Sequence, residues 1–158
     1  MCIRDRWKCK PGLSVVRFQS ADGLILRGDF LAAANPERGA IITVHMNAQG
    51  WDRSSWPMRS LLAFQGLDAS VLSFDRRGAG TSEGKPENAA KSPSGRLDLE
   101  AAVQFLLRKD NPCPIDPNKI LVIGVGDGTA TTLDYVANTD QVDPVSYTHL
   151  TLPTILRV

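Results

Sequence analysis

Two short β-prone runs, residues 14–19 and 24–31, open the patterned part of the chain. Between them Ser20-Ala21-Asp22-Gly23 supplies an Asp-Gly pair that favours a hairpin turn, so the two runs should pair antiparallel. Three mostly apolar runs follow, at 39–44, 69–74 and 120–123, the pattern expected of central parallel strands covered on both faces. Helical segments lie between and after them. Residues 54–65 carry Trp56, Leu61, Leu62 and Phe64, and Gly66 is placed as a C-terminal stop. Residues 97–109 carry Leu99, Ala102, Val103 and Leu106 on one face. Asp98 and Glu100 are expected in the first turn of that helix and Arg108 and Lys109 in its last, complementing the macrodipole. A third helix is predicted over 129–137, and residues 83–95, with Gly84, Pro86, Pro93 and Gly95, read as a polar loop. The order β-β-β-α-β-α-β-α is that of an α/β domain with a mainly parallel sheet and a leading antiparallel hairpin.

The two ends do not continue this pattern. Residues 1–6 (Met-Cys-Ile-Arg-Asp-Arg) and the run Ser-Tyr-Thr-His-Leu-Thr-Leu-Pro-Thr from Ser146 resemble translated sequencing-adapter sequence, so 1–6 and 146–158 are set aside as non-native segments. The domain is then expected to span 7–145. Its size suits one globular unit: of 158 residues, 42% are hydrophobic and 22% charged. A formal charge of +1 gives no electrostatic footprint for nucleic acid or an anionic membrane surface. Cys2, Cys9 and Cys113 are odd in number and lack a C-x-x-C pair, which argues against a disulfide framework and against zinc, and favours a reducing, cytoplasmic setting. No metal and no cofactor is expected.

The segment from Lys119 to Thr129 reads as a buried strand, a glycine turn and then a helix. That is the setting of a nucleophile elbow, G-x-S-x-G, in which a serine stands on a strained turn and small flanking residues keep its hydroxyl exposed. Gly124 and Gly128 occupy the glycine positions. The serine position holds Gly126. The same glycines begin a G-x-G-x-x-G dinucleotide pattern, but the third glycine position is Thr129 and the element does not open a first βαβ unit.

Two further motifs stand in register with this one. Phe74-Asp75-Arg76-Arg77-Gly78-Ala79-Gly80-Thr81-Ser82 resembles the D-x-R-G-x-G-x-S turn that follows the fourth strand of α/β-hydrolases. Val44-His45-Met46-Asn47 resembles the oxyanion loop after their third strand, with Met46 where that family has glycine. The chain thus resembles the N-terminal part of an α/β-hydrolase, nearest to the esterase, dienelactone-hydrolase and serine-peptidase-like members. The resemblance implies a truncated α/β-hydrolase fold, acyl transfer on a small-molecule ester or amide, and an oxyanion hole built from the N–H of Asp127 and that of Met46 or Asn47. It makes Asp75, Arg77, Gly78, Gly80 and Ser82 structural turn residues. His45 would shape its loop rather than act as a base, since the family's catalytic histidine follows the last strand.

The missing serine leaves three explanations open: a pseudoenzyme that keeps the fold for ligand binding or interaction, a sequence error at Gly126, or an enzyme using an aspartate nucleophile, as dehalogenase-like and epoxide-hydrolase-like relatives do. Asp127 is the only candidate for the last, and it lies one position beyond the nucleophile's register. The start of the following helix, where a carboxylate meets free N–H groups, is its other expected place. Catalytic acid and base are not visible in the chain. Trp51 and Trp56 have two readings, lining an acyl pocket beside the oxyanion loop or packing the first helix, and packing is the expected one. With no sixth parallel strand in the pattern, the run 120–123 should present an open edge, and self-association is expected.

Overall fold

The structure is a computed structural model that describes residues 10–34, 39–47, 49–56, 58–86, 94–111, 113, 115–139 and 154–157, the side chains of 58–60, 65 and 154–157 excepted. Its six strands are β1 (Gly12–Gln19), β2 (Ile25–Ala32), β3 (Ala40–Val44), β4 (Ser70–Asp75), β5 (Ile120–Gly124) and β6 (Thr154–Arg157). Three helices accompany them: α1 (Met58–Gln65), α2 (Ser94–Leu107) and α3 (Asp127–Ala137). The strands form one sheet in the order β1-β2-β4-β3-β5-β6. β4, β3 and β5 are parallel neighbours, while β1 and β2 form the expected hairpin and β2 runs antiparallel to β4. The hairpin closes with Gly23 at φ 92°, a conformation glycine adopts without steric cost.

The central runs are apolar because both faces are covered. Ala40, Ile42 and Val44 of β3, Leu72 and Phe74 of β4, and Ile120 and Val122 of β5 pack with Leu99, Val103 and Leu106 of α2 and Tyr135 of α3. On the other face Ile41, Val71 and Ile123 meet Leu61, Trp56 and Phe64. Three layers result, and the C-terminal ends of the parallel strands all deliver their loops to one edge of the sandwich. That edge is where open α/β sheets place their ligands.

Several local expectations are corrected. The helix expected over 54–65 is a 3₁₀ turn, Arg53–Ser55, followed after Trp56 and Pro57 by the shorter α1. The residue before a proline is driven out of the helical region, and Trp56 is accordingly extended at φ −85°, ψ 104°. α2 starts three residues before its expected beginning. No acidic side chain stands in its first turn and no basic one in its last; Asp98, expected to serve the macrodipole from the exposed first turn, is instead fully buried.

The open edge expected at β5 is paired. β6 runs antiparallel to β5 with Gly124 opposite Thr154 and Leu121 opposite Arg157, so among the described residues β6 is the strand beside β5 on that side. Cys113, which the cysteine count had left unbridged, is disulfide-bonded, and the chain's other two cysteines, Cys2 and Cys9, lie outside the described residues. No helix among the described residues is long and apolar enough to cross a membrane.

Candidate active site

The turn after β5 is built around two glycines that admit no side chain. A Cβ on Gly124 would come 2.6 Å from the carbonyl oxygen of Gly128, and one on Gly128 would come 2.5 Å from that of Val44, so the start of α3 is pressed against the ends of both β5 and β3. Hydrogen bonds lock the approach. The Val125 N–H donates to the Val44 carbonyl at 3.0 Å, and the Thr129 hydroxyl donates to the Gly124 carbonyl at 3.1 Å.

Gly126 stands at the apex with φ 60° and ψ −126°, a backbone conformation that is costly for any residue with a side chain. By the resemblance to the elbow motif this strained position is the one expected to hold a nucleophile, and a glycine brings it no reactive group. The space a side chain would need is partly taken: a Cβ on Gly126 would lie 2.8 Å from Cε and 3.0 Å from Cβ of Met46. The resemblance calls for a glycine at 46 and a serine at 126. Here the bulk stands on the opposite wall.

Asp127 is the first residue of α3, and its carboxylate faces the loop after β3 rather than capping its own helix. Oδ1 accepts the Asn47 N–H at 2.6 Å and lies 3.3 Å from Nη1 of Arg76. One of the N–H groups assigned by resemblance to an oxyanion hole is therefore already donating to a carboxylate of the chain itself. The Asp127 N–H belongs to the first turn of α3, whose amides lack intrahelical acceptors.

His45 is completely buried. Its Nε2 lies 3.1 Å from the Arg76 N–H, which can only donate, so the ring proton is on Nδ1, 2.8 Å from the Met46 carbonyl. Burial also pushes its pKa below the usual histidine value. Neutral and spent on two backbone groups, the ring fastens the end of β3 to the turn after β4.

That turn is a dense polar knot. Asp75 is fully buried; Oδ1 accepts the Arg53 N–H at 2.9 Å, and Oδ2 accepts the Thr81 N–H at 2.9 Å and the guanidinium of Arg53. Gly80, at φ 49°, leaves room for that carboxylate, since a Cβ there would overlap it at 2.3 Å. Gly78, at φ 71°, lies against the backbone of Pro86. The Ser82 hydroxyl donates to the Asp75 carbonyl at 2.7 Å and accepts the Arg27 N–H at 2.9 Å, tying the turn to β2.

Arg77 reaches under the sheet edge. Its Nε and Nη2 donate to Asp98 Oδ1 at 3.0 and 2.7 Å, its own N–H donates to Asp98 Oδ2 at 2.9 Å, and Nη1 donates to Asp22 at 2.7 Å. The two carboxylates hold the guanidinium firmly charged. The Arg77 hydrogen bond in turn holds Asp22 below the ordinary carboxylate range. These partners were not legible in the sequence: Asp98 lies 21 residues from Arg77 and Asp22 lies 55, and no short motif links them. Arg76, buried, adds bonds to the His45 carbonyl at 3.3 Å and the Thr131 hydroxyl at 2.9 Å.

Between this turn and the loop after β3 opens a cavity of about 370 Å³, lined in part by Asn47, Trp51, Asp52, Gly80 and Pro86. Trp56, by contrast, packs inside, its ring 6.1 Å from that of Phe64. Trp51, expected to pack, is 38% exposed at the cavity.

No protein-family model matches the sequence. The uncharacterized protein YfhR of Escherichia coli K12 is 29% identical over 141 residues, 87% of this chain and 45% of that protein. The thiohydrolase apmlB of Arthrinium phaeospermum is 31% identical over 123 residues, covering 75% of this chain and 36% of that protein. Among solved structures, the alpha/beta hydrolase GrgF from Penicillium sp. sh18 superposes with a TM-score of 0.69 at 27% identity, over 82% of this chain and 43% of its own. The chain thus spans less than half the length of the curated relatives it matches.

Proposed function

We propose, on the premise that this chain is an α/β-hydrolase-superfamily protein, that it derives from the hydrolases of carboxylic esters and amides and that its own elbow does not perform acyl transfer. The observation that carries this reading is the pair Gly126 and Met46. Acyl transfer needs a nucleophile on the strained turn and donors aimed at the developing oxyanion. Gly126 brings no nucleophile, Met46 packs into the space its side chain would need, and the Asn47 N–H is engaged by Asp127. What remains is a non-catalytic ligand-binding module, with the cavity beside Asn47 and Trp51 as its small-molecule site.

An aspartate nucleophile is the weaker reading. Asp127 is the first residue of α3, one position past the apex, and one oxygen of its carboxylate is committed to Asn47 and Arg76. The deciding experiment incubates the purified chain with p-nitrophenyl esters and with a fluorophosphonate probe. No turnover above buffer and no labelling are expected; stoichiometric labelling at Ser73 or Ser82 overturns the assignment of the elbow, and a covalent ester trapped on Asp127 promotes the aspartate mechanism.

A further inference from the structure

A second cavity, of about 380 Å³, lies between the β1–β2 hairpin and the C-terminal end of α2. It belongs neither to the elbow nor to the loop after β3, and its size falls in the range of small-molecule sites. The floor is apolar. Val16, Phe30, Ala32 and Phe105 supply it, with the rings of Phe30 and Phe105 edge to face at 6.1 Å. The exposed rim consists of Lys10, Ser14 and Arg108.

The chemistry of that rim is one-sided. The Lys10 ammonium and the Arg108 guanidinium only donate hydrogen bonds, and the Ser14 hydroxyl can donate alongside them. The polar group on the buried side, the Asn111 amide, is committed to its own loop, donating to the Leu106 carbonyl at 2.8 Å and accepting the Cys113 N–H at 3.0 Å. Arg108 is held over the apolar floor, its guanidinium carbon 5.0 Å from the centre of the Phe105 ring. The carboxylate paired with it, Asp110 at 3.3 Å, is 76% exposed, so solvent screens its hold. α2 ends at Leu107, and the partial negative charge of that helix end opposes an anion here. With the Asp110 carboxylate counted, Lys10 and Arg108 still leave one net positive charge against that half charge, and Asn111 covers one of the terminal carbonyls.

We propose that this cavity binds a monocarboxylate with a short apolar tail, the tail against Phe30 and Phe105 and the carboxylate between Lys10 and Arg108. A neutral molecule of equal length would bury the same tail without compensating the cations, and a cationic one would be repelled by them. The inference does not depend on the reading of the elbow.

The test titrates sodium octanoate into the full chain, followed by calorimetry and by ¹⁵N amide shifts, with octan-1-ol and octyltrimethylammonium as comparisons. Saturable one-to-one octanoate binding is expected, with shifts clustered at Ser14, Ala32 and Asn111 and an affinity about tenfold above that of octan-1-ol. Arg108→Glu should weaken octanoate by about tenfold, and Ser14→Trp, at the exposed mouth, should block it. The proposal is overturned by equal affinity for octan-1-ol, by unchanged binding in both variants, by shifts gathered at the exposed Leu62 and Leu67, or by no saturable binding below about 10 mM.

Discussion

Met46 and Gly126 occupy complementary space across the elbow: the side chain of one fills the room that a Cβ on the other would require, at 2.8 and 3.0 Å from Met46 Cε and Cβ. Putting a serine back at the apex therefore meets two costs, the positive φ of 60° and the contact with Met46. Gly126→Ser should destabilise the chain by roughly 1–3 kcal/mol. Removing the opposing side chain relieves the second cost only, so Met46→Gly with Gly126→Ser should show a favourable coupling of about 1 kcal/mol in a urea-melt double-mutant cycle. Strict additivity would mean that the two residues do not share the space.

Asp127 joins the loop after β3 to the turn after β4 through Asn47 and Arg76. Asp127→Ala leaves the Asn47 N–H without this acceptor and should cost about 1–2 kcal/mol, the range for a part-exposed charge-assisted bond. Asp127→Asn keeps a carbonyl oxygen in place and should cost less than half as much. Equal losses in urea melts would show that charge pairing with Arg76, rather than the hydrogen bond, is what matters.

Much of this architecture was legible in the sequence, because strand burial is written as apolar runs and the tight turns as glycines. The runs at 39–44, 69–74 and 120–123 became β3, β4 and β5 almost residue for residue. Helix boundaries were harder. Trp56, extended as a residue followed by proline in the sequence, separates the 3₁₀ turn from α1, and Asp98 looked like a surface charge at a helix start because its partner, Arg77, is distant in sequence. β6 was invisible for a different reason: it lies in a segment set aside as foreign, and four residues show no period of their own. At position 126 the sequence shows a glycine where the resemblance calls for serine, but not the facing contact with Met46, which only the folded geometry reveals.

Asp98 and Arg77 form the buried pair that holds the turn after β4 onto α2, with side chains 1% and 7% exposed. Breaking it from one side strands a charge in the interior. Asp98→Leu should cost about 3–5 kcal/mol, and the double change Asp98→Leu with Arg77→Met should be less damaging than Asp98→Leu alone. Thermal melts of the parent and the two variants check the order; a double variant worse than Asp98→Leu would mean that Asp22 and Ser20, whose hydroxyl accepts from Arg77 Nη2 at 3.4 Å, depend on Arg77 more strongly than Asp98 does.

His45 makes stability depend on pH near neutrality. Burial lowers its pKa in the folded chain, while in the unfolded chain it titrates near 6.5. The unfolded state therefore binds the proton first, so this contribution is fully present above pH 6.5 and is lost as the pH falls from there toward the folded value. The Arg76 N–H reinforces the sign, since a protonated ring cannot accept it. Between pH 7.5 and 5.5 the unfolding free energy should fall with a limiting slope of about 1.4 kcal/mol per pH unit, and His45→Gln should flatten that slope while lowering stability overall. A slope unchanged by the substitution would assign it to another group.

The pairing of β6 with β5 bears on association. β5 is an apolar strand whose outer backbone groups would, if bared, template pairing with another chain. In the structure Thr154–Arg157 occupies those groups, four residues running antiparallel from Gly124 to Leu121. Association through this edge should then be governed by the last residues of the chain. Deleting 146–158 removes β6 and should raise the apparent mass in light scattering in a concentration-dependent way, whereas the intact chain should be less associated at the same concentration. Adding Lys at Leu121, which is only partly buried in β5, should suppress the association of the shortened chain, because a charge on an edge strand disfavours edge-to-edge pairing. If the intact and shortened chains associate equally, the contact runs through another surface, and the exposed Leu13 and Val15 of the opposite edge strand β1 become the place to introduce the charge.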